Sequence, residues 1–144
     1  MIIRVITLMA LLSALCGCAP KTTETPPSPD RTAVFAGTAT YAERLTLPQD
    51  AVLEVWIADE TPMALIPILA EAAFLTDGKQ VPLSFQLWYD PRRVDGTRRY
   101  TAHAVIRQDG QILYHTATAI PVLTQGNPTS VELVLTSPAT GTGS

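Results

Sequence analysis

A chain of 144 residues suffices for one domain and is too short for two comfortable ones. Apolar residues make up 47% of it and charged residues 16%, which excludes a chain that stays disordered because it is solvated. The net charge of −3 argues against nucleic acid as a partner, since phosphate tracking needs a basic surface.

The first element in chain order is a targeting segment. Arg4 supplies a short positive region, and Val5 to Cys16 form an uncharged, mostly apolar run. That run has the length of a secretory signal and is too short to cross a bilayer. Both cysteines of the chain, Cys16 and Cys18, close it. Leu15-Cys16-Gly17-Cys18 resembles a bacterial lipobox, with a small residue before the cleavage point and a thiol just after it. Cys16 cannot be the modified residue, because Leu15 would then precede the cut. The expectation is a signal peptide over 1–17 and a lipid anchor on Cys18, leaving the mature chain without a free thiol. Ala19 follows, where Asp would resemble an inner-membrane sorting signal. The resemblance therefore implies the outer membrane, with the domain facing the periplasm and the membrane itself as a partner through Cys18.

Residues 18–33 are rich in Pro and Thr and read as a tether with nothing to bury. Residues 137–144 read as a frayed tail. Between them, 34–136 divides into short strands separated by turn signals. VFAGTATY (34–41) is a weak strand. AVLEVWIAD (51–59) sets Leu53, Val55 and Ile57 on one face against Val52, Glu54 and Trp56. VPLSFQLWYD (81–90) sets Val81, Leu83, Phe85, Leu87 and Tyr89 against Ser84, Gln86 and Trp88. Period two with turn residues at both ends marks half-buried strands. RRYTAHAVIRQ and QILYHTA flank Asp109-Gly110, a strong hairpin signal. IPVLT carries Pro121, which confines it to an edge or a bulge. TSVELVLT (129–136) alternates Val131, Leu133 and Leu135 against Glu132 and Val134. The predicted fold is all-β, a single antiparallel β-sandwich or small barrel of about seven to eight short strands. One segment departs from the pattern. In PMALIPILAEAAFL (62–75), Leu65, Ile68, Leu69 and Ala72 fall at helical spacing, and periodicity alone favours a helix.

Leu-Pro before the first strong strand, Val-Pro-x-x-Phe in a strand ending Tyr-Asp, the Tyr opening the Asp-Gly hairpin, and Pro-Val-Leu-Thr before the last strand form an ordered set. With the lipobox, they resemble the YbaY/YscW family of bacterial lipoproteins over about residues 35–136. The resemblance implies a β-sandwich with a strand at 68–75 in place of the helix. Some members of that family are described as chaperones, or pilots, for the secretin ring of type III secretion.

The residues offer no catalytic, cofactor or metal assignment. With a two-residue turn at Asp109-Gly110, positions summing to 219 pair, so His103 and His115 point to opposite faces, His115 inward. Asp59-Glu60 and Asp90 with Asp95 lack the spacing of a calcium loop, and no phosphate cradle or nucleophile elbow is present. Two features suit binding. Trp56 and Trp88 lie on the less apolar faces of their strands, open to a partner unless the 59–78 connection covers them. Arg92, Arg93, Arg98 and Arg99 surround a turn, either solvated or facing anionic head groups or an acidic partner. The expected function is a non-enzymatic accessory or pilot-like chaperone in envelope or secretion assembly, with a secretin or another envelope protein as partner. A small-molecule or glycan binder and a structural envelope lipoprotein are the alternatives.

Overall fold

The computed structural model describes residues 33–64 and 67–138. The expected signal peptide, Cys18, most of the tether and the end of the tail lie outside the described residues. The strands are β1 (Ala33–Tyr41), β2 (Val52–Asp59), β3 (Ile68–Leu75), β4 (Leu83–Tyr89), β5 (Tyr100–Gln108), β6 (Gln111–Thr116), β7 (Ile120–Val122) and β8 (Ser130–Thr136). The 3₁₀ turn Pro91–Arg93 is capped by Asp90, whose carboxylate accepts from the Arg92 N–H.

All eight strands belong to one sheet, ordered β3-β2-β5-β6-β8-β1-β4, with β7 pairing β5 beyond the end of β6. The sheet rolls until its end strands, β3 and β4, approach each other, so the all-β expectation is met by a nearly closed barrel. Its halves face each other across one core, as in a sandwich. Pairing is antiparallel throughout except between β1 and β8, where the last strand lies parallel to the first. Pro121 sits on the edge segment β7, where its missing N–H costs no interior ladder bond.

The alternation read from the sequence carries through. Phe35, Leu53, Ile57, Leu87, Ile106, Leu133 and Leu135 are fully buried, and their strand neighbours point outward. At about 25 cal/mol per Å², such inward rows are the main force holding the sheet rolled. Ile68–Leu75 is a strand, as the resemblance implied and against the helical spacing. Its inward row is Ala70, Ala72 and Phe74, opposite Ile57, Val55 and Leu53 of β2. A register shift at Ile57/Ala58 leaves Leu69 an extra residue, and this bulge breaks the period-two pattern.

A second bulge corrects the histidine reading. Gln108–Gln111 and Arg107–Ile112 pair with the expected sum, but the register shifts between Ile106 and Arg107. His115 therefore pairs with Val105, not Ala104, and Tyr114 takes the buried place. One inserted residue turns a side chain to the other face. Both histidines thus lie on the outer wall.

Strand directions fix two ends of the barrel. At one end the chain enters β1, β2 turns to β3, β4 turns to β5, and β7 turns to β8. At the other end are the loops β1–β2, β3–β4 and β5–β6.

Candidate functional site

The seam between β3 and β4 interrupts the barrel wall. These strands are consecutive in the chain, yet β3 ladders only with β2 and β4 only with β1. Each presents an unpaired edge of alternating N–H and C=O groups. Where the two splay apart, a cleft of about 590 Å³ opens, lined by Leu53, Phe74, Leu75, Thr76, Lys79, Gln80, Pro82, Leu83 and Ser84. Its floor is apolar and continuous with the core, because Leu53 and Leu83 are buried there. Leu75 at its lip is 56% exposed, an unusual setting for a leucine next to an open strand edge.

The cleft's polar rim is built by Gln80 and Thr76. The Gln80 side chain accepts from the Leu47 N–H at 2.9 Å and donates to the Gly78 carbonyl at 2.8 Å. The Thr76 N–H donates to the Ala51 carbonyl at 2.9 Å. These bonds tie the β3–β4 loop to the β1–β2 loop, so the mouth is braced rather than loose. Lys79 has no ion-pair partner among the described residues, which leaves one cation beside an apolar floor. The arrangement suits an amphipathic segment that offers apolar side chains to the floor, a strand edge to the wall and a carboxylate to Lys79. None of these residues was singled out in the sequence as a binding residue. The available signal was a β3 that is apolar on both faces apart from Glu71.

The sequence-predicted tryptophans lie elsewhere on the wall. Trp56 is half-buried on β2, between Glu71 of β3 and His103 of β5. Part of the connection after residue 59 forms β3 beside it, and the His103 ring stacks on Trp56 at 5.3 Å between centroids. Trp88 is 40% exposed on β4, opposite Val34 of β1. Trp56 lies across β3 from the seam, so the two rings form no continuous patch.

His103 also belongs to a polar cluster. Its Nε2 lies 2.9 Å from the Thr101 hydroxyl, which is 2.9 Å from the Glu60 carboxylate. Ionised Glu60 only accepts, so the hydroxyl donates to it and receives the His103 Nε2–H. An acyl-transfer triad places imidazole between hydroxyl and carboxylate, using both ring nitrogens. Here the hydroxyl bridges the two, and the same ring nitrogen also lies 3.4 Å from the Glu60 carboxylate, so the order of groups differs from that triad. Among the described residues no three His, Cys, Asp or Glu side chains gather as a metal cluster.

The four arginines have three different roles. Arg98 forms an ion pair with Asp59 at 2.7 Å, and that carboxylate is 3% exposed. Burial pushes the Asp59 carboxyl up, but hydrogen bonds from Arg98 and Thr61 outweigh it and hold the group below its ordinary value. Arg92 is turned back on Asp90, with Nη2 to carboxylate at 2.9 Å. Arg93 and Arg99 are exposed and have no ion-pair partner among the described residues. Tyr100 pins the turn from below, its hydroxyl accepting from the Asp95 N–H at 3.1 Å.

Comparison with known proteins places this geometry in a family. The model of the type III secretion system lipoprotein chaperone family, YscW, matches residues 31–135. The chain belongs to that family. It is 33% identical over 143 residues to the uncharacterized lipoprotein YbaY of Escherichia coli K12, covering 88% of this chain and 74% of the relative. A solved structure of an alternative pilotin from the type II secretion system of Vibrio cholerae is 34% identical. It superposes with a TM-score of 0.68 over 72% of this chain and 94% of that one. The family model and the solved structure thus name two different secretion systems, and the likeness to the solved pilotin is one of fold as well as sequence.

Proposed function

We propose that this protein is a pilot-like accessory lipoprotein, non-enzymatic, held in the outer membrane by lipid on Cys18 and facing the periplasm. It binds an amphipathic segment of an envelope protein, a secretin subunit first among them, in the β3–β4 cleft. The observation that carries the reading is the cleft itself: two unpaired strand edges over a buried apolar floor, with an uncompensated cation at the mouth. Membership of a lipoprotein chaperone family and the likeness to a pilotin support it.

The test is site-specific photocrosslinking in cells, with the reactive residue at Leu75 or Ser84 and, as a control, at Val134 on the far outer wall. The expected outcome is one dominant adduct at the first two positions, mapping to a single segment of one envelope protein. Cys18→Ser should abolish it. Equal, diffuse adducts at all three positions would sink the reading. A shift in Trp fluorescence that dialysis reverses, without any protein adduct, would favour a small amphiphile in the cleft instead.

A further inference from the structure

The barrel end that receives the chain from the N-terminal side gathers features that the cleft does not use. Four of the seven Lys and Arg side chains among the described residues are at this end: Arg92, Arg93, Arg98 and Arg99. Each of its carboxylates is engaged within the rim, with Glu60 and Asp95 remaining 40% and 53% exposed at the side chain. Asp59 is buried against Arg98, Asp90 chelates Arg92, Asp95 accepts from Thr97, and Glu60 accepts from Thr101. Apart from Arg98, the arginines are exposed, Arg92 at 71% side-chain exposure and Arg93 and Arg99 without carboxylate partners among the described residues.

Apolar side chains stand beside them. In Thr61-Pro62-Met63-Ala64 the Ala64 N–H donates to the Thr61 carbonyl, closing a turn with Met63 at φ +61°. That position favours Gly or Asn, yet here it presents a methionine that is 97% exposed. The loops are contiguous: Glu60 N–H donates to the Arg99 carbonyl at 2.9 Å, and Glu60, Thr61, Pro62, Thr97, Arg99 and Gln125 line one shallow depression. Trp88 is the penultimate residue of β4 and pairs with Val34, the second residue of β1.

The position of this end decides the occupant. Fourteen residues separate Cys18 from Ala33, and they join the barrel at this rim. We propose that the rim is a bilayer-docking surface for the leaflet that holds the anchor: Arg93 and Arg99 contact anionic phospholipid head groups, Met63 enters the interface, and Trp88 sits at head-group depth. The inference rests on the lipid-anchor reading. Its consequence is orientation: the domain stands rim-down, with the cleft at the far end facing away from the bilayer.

The test uses the full lipidated chain in vesicles, with Trp56→Phe so that Trp88 is the sole tryptophan. Flotation reports attachment, and quenching by lipids spin-labelled near the head group reports docking. Expected are attachment in every vesicle and strong Trp88 quenching only when phosphatidylglycerol is present, relieved by high salt. At about five-fold per basic residue, Arg93→Gln with Arg99→Gln should lower the docked-to-free ratio about 25-fold while flotation is unchanged. Met63→Ser should weaken quenching without changing its salt dependence. Attachment without quenching, or equal quenching on pure phosphatidylcholine, overturns the docking proposal and leaves the anchor intact. Loss of flotation in the parent, unaffected by Cys18→Ser, overturns the anchor reading and the proposal with it.

Discussion

Gly37 gives the most direct test of how the barrel closes. It lies on the inward side of β1, paired with Phe85 of β4 on one side and Val131 of β8 on the other. Its φ is not positive, so alanine meets no torsional objection there. The objection is space. A Cβ would lie 2.7 Å from Phe85 Cζ and 3.2 Å from Cε1, and it would collide with the Val131 carbonyl oxygen. The ring can tilt, but the oxygen belongs to the β1–β8 ladder and can move only with its strand. Overpacking of this kind costs about 1–3 kcal/mol, and displacing a ladder bond about 1 kcal/mol more. Alanine's lower unfolded-state entropy offsets about 0.4–1 kcal/mol. Gly37→Ala should therefore destabilise by about 2 kcal/mol.

Urea unfolding followed by Trp fluorescence measures this. With a slope of about 2 kcal/mol/M, the midpoint should fall by about 1 M. The partner variant separates the two clashes. Phe85→Leu removes the nearest ring atoms, so it should cost less in the Gly37→Ala background than alone, with a coupling of about 1 kcal/mol. Full rescue should not occur, because the Val131 oxygen remains. A Gly37→Ala midpoint unchanged from the parent, or strict additivity of the pair, would refute the packing argument.

Other consequences follow from the charges and the core. Asp59's folded-state pKa is depressed, so the unfolded chain binds more protons; its stabilisation is present above about pH 4 and is lost as pH falls through the folded value. Asp59→Asn should flatten that acid limb in urea midpoints measured from pH 7 to pH 3. Tyr41 and Tyr114 stack at 4.1 Å, and burial first of all pushes both phenols up. Their stabilisation is complete below about pH 10 and declines as pH rises further, so two of the four tyrosines should ionise late in ultraviolet difference spectra. Leu133→Ala, at a site with no solvent exposure, should cost about 2–5 kcal/mol by the same urea assay. Tyr100→Phe leaves the Asp95 N–H without its acceptor and should cost about 1 kcal/mol, with faster amide exchange confined to the β4–β5 loop.

The strands β2, β4, β5 and β8 were legible because each has one wall in the core and one in water. Period two then appears in the residues themselves: Leu53, Val55 and Ile57 against Glu54 and Trp56. β3 was not legible, for a physical reason. Alanine occurs on both of its faces, Glu71 alone marks the outside, and the bulge at Leu69 shifts the phase. The face of His115 was lost in the same way, since a bulge at Ile106/Arg107 leaves no local mark. The parallel β1–β8 pair is a closure between chain ends, and no nearby residue announces it. The cleft is a consequence of that closure: β3 and β4 become the two ends of the sheet, and their meeting is visible only in three dimensions. The tryptophans and the arginine turn were legible as residues but not as a layout. Strand parity, rather than spacing, puts the arginines at the end where the chain arrives.

That parity gives the two surfaces complementary positions. The rim carries Arg93, Arg99 and Met63 and receives the chain from Cys18. The cleft residues Phe74, Leu75, Leu83 and Ser84 lie at the opposite end, the full length of a strand away. Eight residues of β3 at about 3.3 Å each make that distance about 25 Å, before any tilt is allowed for. A domain held rim-down therefore lifts its cleft clear of the head groups by about three Debye lengths at physiological salt. Lys79 at the cleft mouth is then outside the field of the anionic surface and remains available to a carboxylate of the proposed partner segment. Without rim docking nothing would fix that orientation, and Lys79 would not be held away from lipid. Rim substitutions should accordingly slow capture at the cleft in membranes and leave it unchanged in detergent, whereas Lys79→Gln should weaken capture equally in both. Comparing crosslinking rates at Leu75 for these variants in the two settings measures that difference. Equal slowing of a rim variant in detergent would mean that the rim contacts the partner rather than the bilayer.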